Sequence, residues 1–241
     1  MNLLAAVKSG DIALARKVLK AGANPNCTDL SGYSALHWTC QKGYAKIVKL
    51  LIKFGADIDL SDNEGFRPLE IAINCGHPHI ASIILKHAPD LTKTRNGFSY
   101  LHACAAASDF KTAQRLLDCP KIRRLINTRD EGGYTPLHWA AQVGDLRTAK
   151  LLLKFGANPS LFDINGFAPL HHASAGGHFE VVRLLVEHGV DVNQRCPAWR
   201  NGTCLHNAYA YHNKEMIQFL LSLGADESII DNEGKRPSDW G

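Results

Sequence analysis

The sequence predicts an all-α protein built from stacked helix–turn–helix units, and three observations predict it. The stretch GYTPLHWAAQVGD, residues 133–145, returns in altered form at 32–44, 65–77, 97–109, 166–178 and 201–213. The leucines of these stretches fall at 36, 69, 101, 137, 170 and 205, at intervals of 33, 32, 36, 33 and 35 residues, and a period of this size marks a repeat array. Each period carries two apolar helical patterns separated by turn residues. A unit that short buries no core alone, so neighbours must stack.

The first unit, residues 1–28, lacks the motif and opens at once on a helix, LLAAVKSGD, followed by IALARKVLKAGANPN. Terminal repeats turn one face to water, and Lys8, Arg16 and Lys17 suit that role. Units follow at 29–61, 62–93, 94–129, 130–162, 163–197 and 198–230: about seven in all, with a half-cap at 231–241 that stops inside its first helix. The unit at 130–162 shows the plan most clearly. Asp130-Glu131-Gly132-Gly133 makes a turn, Thr135 caps a helix and Pro136 takes its first position, where a missing N–H costs nothing. Leu137, Ala140 and Ala141 form its apolar face, and Gly144 ends it. A second helix buries Ala149, Leu151, Leu152 and Leu153 and stops at Gly156. The fourth unit departs most. Ala107-Ser108 replaces its loop glycine, Ala88-Pro89 stands before it where glycine is expected, and its second helix is expected to run three residues longer through CPKIRRLINTRD.

The period and the recurring TPLH-like core resemble the ankyrin-repeat family over nearly the whole chain. The resemblance implies an all-α ankyrin-repeat solenoid. It also implies that the motif histidines His37, His102, His138, His171 and His206 are structural, bonding backbone and the cap hydroxyl near the repeat junction. Glu70 takes the same place in the third unit. A metal or acid–base role would need these side chains to converge, whereas stacking sets them about 10 Å apart. The pairs His171-His172 and His77-Pro-His79 show no cysteine or carboxylate company at metal-site spacing, so no metal and no cofactor is expected.

Composition agrees with an ordinary folded domain: 45% hydrophobic, 21% charged and net charge +4. The apolar run Leu3 to Val7 is too short for a signal-peptide core, and no segment has the length of a membrane helix. Seven cysteines, an odd number without CxxC, argue for a reducing compartment, with Cys40, Cys75 and Cys104 inside apolar helical patterns. An intracellular location, cytoplasmic or nuclear, is expected, or the host cytosol for a bacterial effector. P-loop, GxSxG and HExxH motifs are absent.

The resemblance implies a protein-binding role through a concave groove. The residue after the turn glycine is Tyr33, Phe66, Phe98, Tyr134 and Phe167 in five consecutive units, and these are expected along that groove with Gln41, Lys42, Asn74, Gln142 and Val143. Trp38 and Trp139 follow the motif histidine and are expected half-buried. Residues 93–129 hold eight Lys or Arg against two Asp, net +6, within a chain of net +4. Lys111, Arg115, Lys121, Arg123 and Arg124 there suit an acidic or phosphorylated protein segment. Nucleic acid is disfavoured, because no aromatic–basic interleaving accompanies the charge. Trp199, in the extra segment RCPAWRNG, is either an exposed contact or a residue folded back on the array. Asn193, eight residues after Leu185 and preceded by Asp-Val, resembles the target pattern of the asparaginyl hydroxylase that modifies ankyrin repeats. The expected function is a non-catalytic interaction scaffold or adaptor. The alternative is the recruiting domain of a larger enzyme or of a secreted bacterial effector.

Overall fold

A computed structural model describes residues 2–92 and 95–241. Lys93, one of the eight basic residues counted above, lies outside the described residues. The chain forms two compact units, residues 1–95 and 96–241. Among the described residues there is no β-strand, and two isolated bridges close turns at Thr28–Ser34 and Cys196–Gly202.

In the first unit the helices are α1 (Leu3–Lys8), α2 (Ile12–Lys20), α3 (Ala35–Lys42), α4 (Ala45–Lys53), α5 (Pro68–Asn74) and α6 (Pro78–Leu85). The second holds α7 (Tyr100–Ala106), α8 (Phe110–Leu117), α9 (Pro120–Arg123), α10 (Pro136–Val143), α11 (Leu146–Lys154), α12 (Pro169–Ala175), α13 (Phe179–Glu187), α14 (Cys204–Ala210) and α15 (Lys214–Ser222). A 3-10 turn, Pro237–Trp240, follows. Within each unit first helices pack on first helices and second on second: α3 on α1 and α5, α4 on α2 and α6, α10 on α7 and α12, α11 on α8 and α13.

Side-chain size explains this layering. First helices bury alanines at their centres, Ala72, Ala103, Ala140 and Ala173, which let neighbouring backbones approach. Second helices bury Ile47, Leu51, Ile80, Ile84, Leu116, Leu117, Leu152 and Leu185 completely, each contributing roughly 1.5–3 kcal/mol of apolar burial. The helix ends follow their chemistry. Thr135 accepts the His138 N–H, Pro136 opens α10, and Gly144 closes it at φ +75°.

The fourth unit differs from expectation in its exit. Its second helix does not lengthen: α8 stops at Leu117, and the extra residues form the separate one-turn α9. Pro120 is the reason, because it cannot donate into a preceding turn but starts a helix well. The missing glycines are replaced without changing the backbone. Ala88 and Ser108 adopt left-handed φ of 52° and 53°, a conformation that costs a side-chain-bearing residue roughly 1–2 kcal/mol. Cys75 also departs from expectation. It is exposed at the end of α5, while Cys40 and Cys104 are buried as expected.

Candidate functional site

Four of the five turns that carry the aromatic positions, those before Tyr33, Phe66, Tyr134 and Phe167, are each held by one aspartate. Asp130 Oδ1 accepts the N–H of Gly132 at 3.0 Å and of Tyr134 at 2.9 Å, and its Oδ2 takes the Trp139 indole N–H at 2.9 Å. Asp29 does the same for Ser31, Tyr33 and Trp38, and Asp231 for Glu233, Lys235 and Trp240. The Ser31 hydroxyl, joined by that indole, holds the Asp29 carboxyl well below the usual carboxylate range. In the sixth unit His172 stands in for tryptophan, its Nε2 2.9 Å from Asp163 Oδ2. This contact is a hydrogen bond to a turn aspartate and not the metal-site company considered above. The signal was present as a nine-residue spacing from turn Asp to aromatic donor, which single-motif reading passed over.

The five motif histidines each bond a carbonyl of the turn that follows their own repeat. The Ser34 N–H donates to His37 Nδ1 at 3.1 Å and the Ser34 hydroxyl lies 2.7 Å from the same nitrogen, so Nε2 carries the proton and donates to the Phe66 carbonyl at 3.0 Å. His102 reaches Tyr134 O, His138 reaches Phe167 O, His171 reaches Gln194 O and His206 reaches Lys235 O in the same way. His171 has Ala168 at its cap and so accepts only the backbone N–H. Burial lowers all five pKa values, His138 and His171 to about 4. Glu70 does not copy the histidine. Its buried carboxylate pairs with Arg95 at 3.5 Å, and burial raises its pKa.

On this frame the five aromatics are all half-buried. In the first unit, Tyr33 lies 4.9 Å from the His37 ring and 5.1 Å from Trp38, and Phe66 is covered by the Arg95 guanidinium at 3.9 Å. In the second, Phe98 stacks on His102 at 5.2 Å, Tyr134 sits 5.7 Å from His138 and 5.0 Å from His172, and Phe167 lies 5.7 Å from His172. One side of the Tyr33, Phe98, Tyr134 and Phe167 rings thus packs on its own repeat, and Phe66 is covered by Arg95 of the next. Trp38 and Trp139 are half-buried as expected. Gln41, Lys42, Asn74, Gln142 and Val143 are exposed at the C-terminal ends of α3, α5 and α10. The Gln41 and Gln142 carbonyls each receive a bond from the next unit, from His77 at 3.2 Å and His178 at 3.0 Å.

The other candidates separate by environment. Lys111, Arg115, Lys121 and Arg124 are exposed. Arg123 is engaged, donating to the Leu117 carbonyl at 2.6 Å and lying over Phe155. Trp199 folds back, half-buried, with its ring 5.3 Å from Trp240. Asn193 ties two turns together: its Oδ1 accepts the Asp226 N–H at 2.8 Å and its amide reaches the Gly224 carbonyl. Asn26 and Asn127 make the same bridge, to Asp57 and Asn158.

Among the described residues no group of three or more His, Cys, Asp or Glu side chains is placed to hold a metal ion, and no helix is long and apolar enough to cross a membrane. A family model described as ankyrin repeats, in three copies, matches residues 3–95, 86–163 and 144–231. The chain belongs to the ankyrin-repeat family. No curated protein matches it. Ankyrin repeats are in general protein–protein interaction modules, and ankyrin domains are typically not catalytic.

Proposed function

We propose that this ankyrin protein is a non-catalytic scaffold or adaptor whose partner is a protein segment. The contact face we assign combines the turn aromatics with the exposed ends of the first helices. In residues 1–95 it comprises Tyr33, Phe66, Gln41, Lys42 and Asn74; in residues 96–241 it comprises Phe98, Tyr134, Phe167 and Gln142. The observation that carries this reading is the recurrence of a half-exposed aromatic before the first helix together with an exposed polar residue at the end of that helix. Aromatic rings already fixed on one side offer contact area at low entropic cost. Lys111, Arg115, Lys121 and Arg124, all exposed, extend the reading to an acidic or phosphorylated stretch of the partner. Seven free cysteines favour an intracellular setting, cytoplasmic or nuclear. Asn193 is proposed as a hydroxylation site only where the turn opens, since its amide is already bonded to the next turn.

The test is affinity capture of a partner, followed by affinity and melting temperature for Tyr134→Ala, Gln142→Ala and Lys111→Ala/Arg115→Ala. Because the Tyr134 ring packs on His138 and His172, its alanine variant lowers stability as well as affinity. Gln142→Ala isolates the contact, lowering affinity with the melting temperature unchanged. A partner bound equally well by all three variants removes this reading.

A further inference from the structure

The seventh unit lacks the aspartate–aromatic pair of the second, fifth and sixth units, and a cavity of about 350 Å³ stands beside the place it leaves. Backbone pairing fixes the correspondence. In the fifth unit the Asp130 N–H donates to the Tyr134 carbonyl at 3.0 Å, and in the seventh the Cys196 N–H donates to the Gly202 carbonyl at 2.7 Å. Cys196 therefore stands where the turn aspartate stands, and Gly202 where the tyrosine stands. After motif histidine His206 comes Asn207, in the position of Trp139. Each of the three changes removes bulk. The extra segment supplies Trp199, whose ring passes about 3.1 Å from where a Cβ on Gly202 would lie. That ring restores part of the lost volume and leaves the rest open, bounded by Phe167, Ala208, Tyr211 and Met216.

We propose that this cavity between α12 and α14 is a pocket for an aromatic side chain presented by the protein partner. The proposal rests on the contact face assigned above. The molecule itself shows what fits: in the fifth unit the equivalent setting holds the Trp139 indole against Phe98, the preceding unit's aromatic, at 5.9 Å. Phe167 is the preceding aromatic here, and it lines the cavity. Polar side chains also line the cavity, among them His172 and Asn207, while the buried Ser174 hydroxyl lies against the Cys204 thiol. The Asn207 side-chain amide on the lining offers an acceptor to a ring N–H or O–H, as in tryptophan or tyrosine. The mouth explains why the ring arrives on a protein. Ala175 and Tyr211 line it at the positions that Gln142 and Val143 hold in the fifth unit, and Tyr211 is 74% exposed. The pocket thus opens onto the proposed contact face. Its volume lies near the lower end of the ligand-pocket range, about 300–1,000 Å³, as one anchoring side chain requires.

The experiment uses the full chain with methyl NMR at Ala208 and Met216. The probes are N-acetyl-tryptophanamide and N-acetyl-tyrosinamide, with N-acetyl-alaninamide as control. The aromatic amides should shift both methyls saturably while the Ala140 and Ala141 methyls stay unmoved. Asn207→Trp, which refills the pocket from within, should weaken the aromatic amides at least tenfold and weaken the captured partner likewise. Should that variant melt early, Ala175→Trp on the exposed rim closes the mouth without entering the core. No shift, an equal shift from the alanine amide, or full binding to both filled variants overturns the pocket. Amide binding with unchanged partner affinity overturns its assignment to a partner side chain. Partner affinity lost in Asn207→Trp but kept in Tyr134→Ala and Gln142→Ala would instead sink the broader contact face and leave the pocket standing.

Discussion

The fourth and fifth repeats, both within residues 96–241, share a core and differ in their loops. Leu101 and Leu137, Cys104 and Ala140, Leu116 and Leu152 are equally buried. Both first helices carry the same capping box, Ser99 with His102 and Thr135 with His138. The loops diverge. The fifth repeat turns on Asp130, clamps Trp139 and closes its helices at Gly144 and Gly156 in left-handed conformation. The fourth has Ala103 in the tryptophan position, Ser108 in left-handed conformation, and the one-turn α9 between its second helix and the next turn. The difference teaches that an ankyrin repeat keeps its place through the buried face and the histidine lock, while the loops set how much strain it carries.

The largest effects should leave the two repeats alike. His102→Ala and His138→Ala each remove bonds to the cap and to the next repeat's carbonyl, so each should lower stability by about 1–3 kcal/mol in denaturant unfolding. Acid should act on the same lock. His138 and His171 have folded pKa values of about 4 against an ordinary 6.5. The unfolded chain therefore binds more protons between those values, and stability is full above about pH 6.5 and falls as pH drops toward 4. Linkage gives a loss of about 2 kcal/mol for each at about pH 5, read as a lowered melting temperature. A flat melting temperature across that window would show that the histidines are not held neutral.

The next effect should separate the repeats by sign. Ser108→Gly relieves a left-handed serine and should stabilise by up to about 1 kcal/mol. Gly144→Ala should destabilise by more than that, because a Cβ there sits at φ +75° and runs into the His178 ring, displacing its bond to the Gln142 carbonyl. Equal responses would break the comparison. The smallest effect is in opening rate. Amide exchange over residues 104–129 should be about fivefold faster than over 134–190, the ratio that roughly 1 kcal/mol of loop strain produces. Uniform protection would mean that α9 and the cap at Asp109 offset the missing glycines.

Much of this was legible in the sequence, because it is local or periodic. The recurrence at 36, 69, 101, 137, 170 and 205 determined the helix pairs. Thr135-Pro136 and Gly144 determined where a helix begins and ends, since a cap hydroxyl, a missing N–H and a left-handed glycine act on adjacent residues. The histidine role was legible for the same reason: a residue recurring at the repeat interval faces the same neighbours each time. Only the tertiary structure decided what depends on the unit next door. It placed Trp199 on Trp240, drew Arg123 back to Leu117, paired Glu70 with Arg95, and packed Tyr33, Phe98, Tyr134 and Phe167 on histidines. It also left the cavity beside Asn207, where a tryptophan's place is taken by a smaller side chain. Pattern fixes which residues are equivalent. What fills the space when one of them shrinks is a matter of volume and reach across the fold, and no period in the chain encodes it.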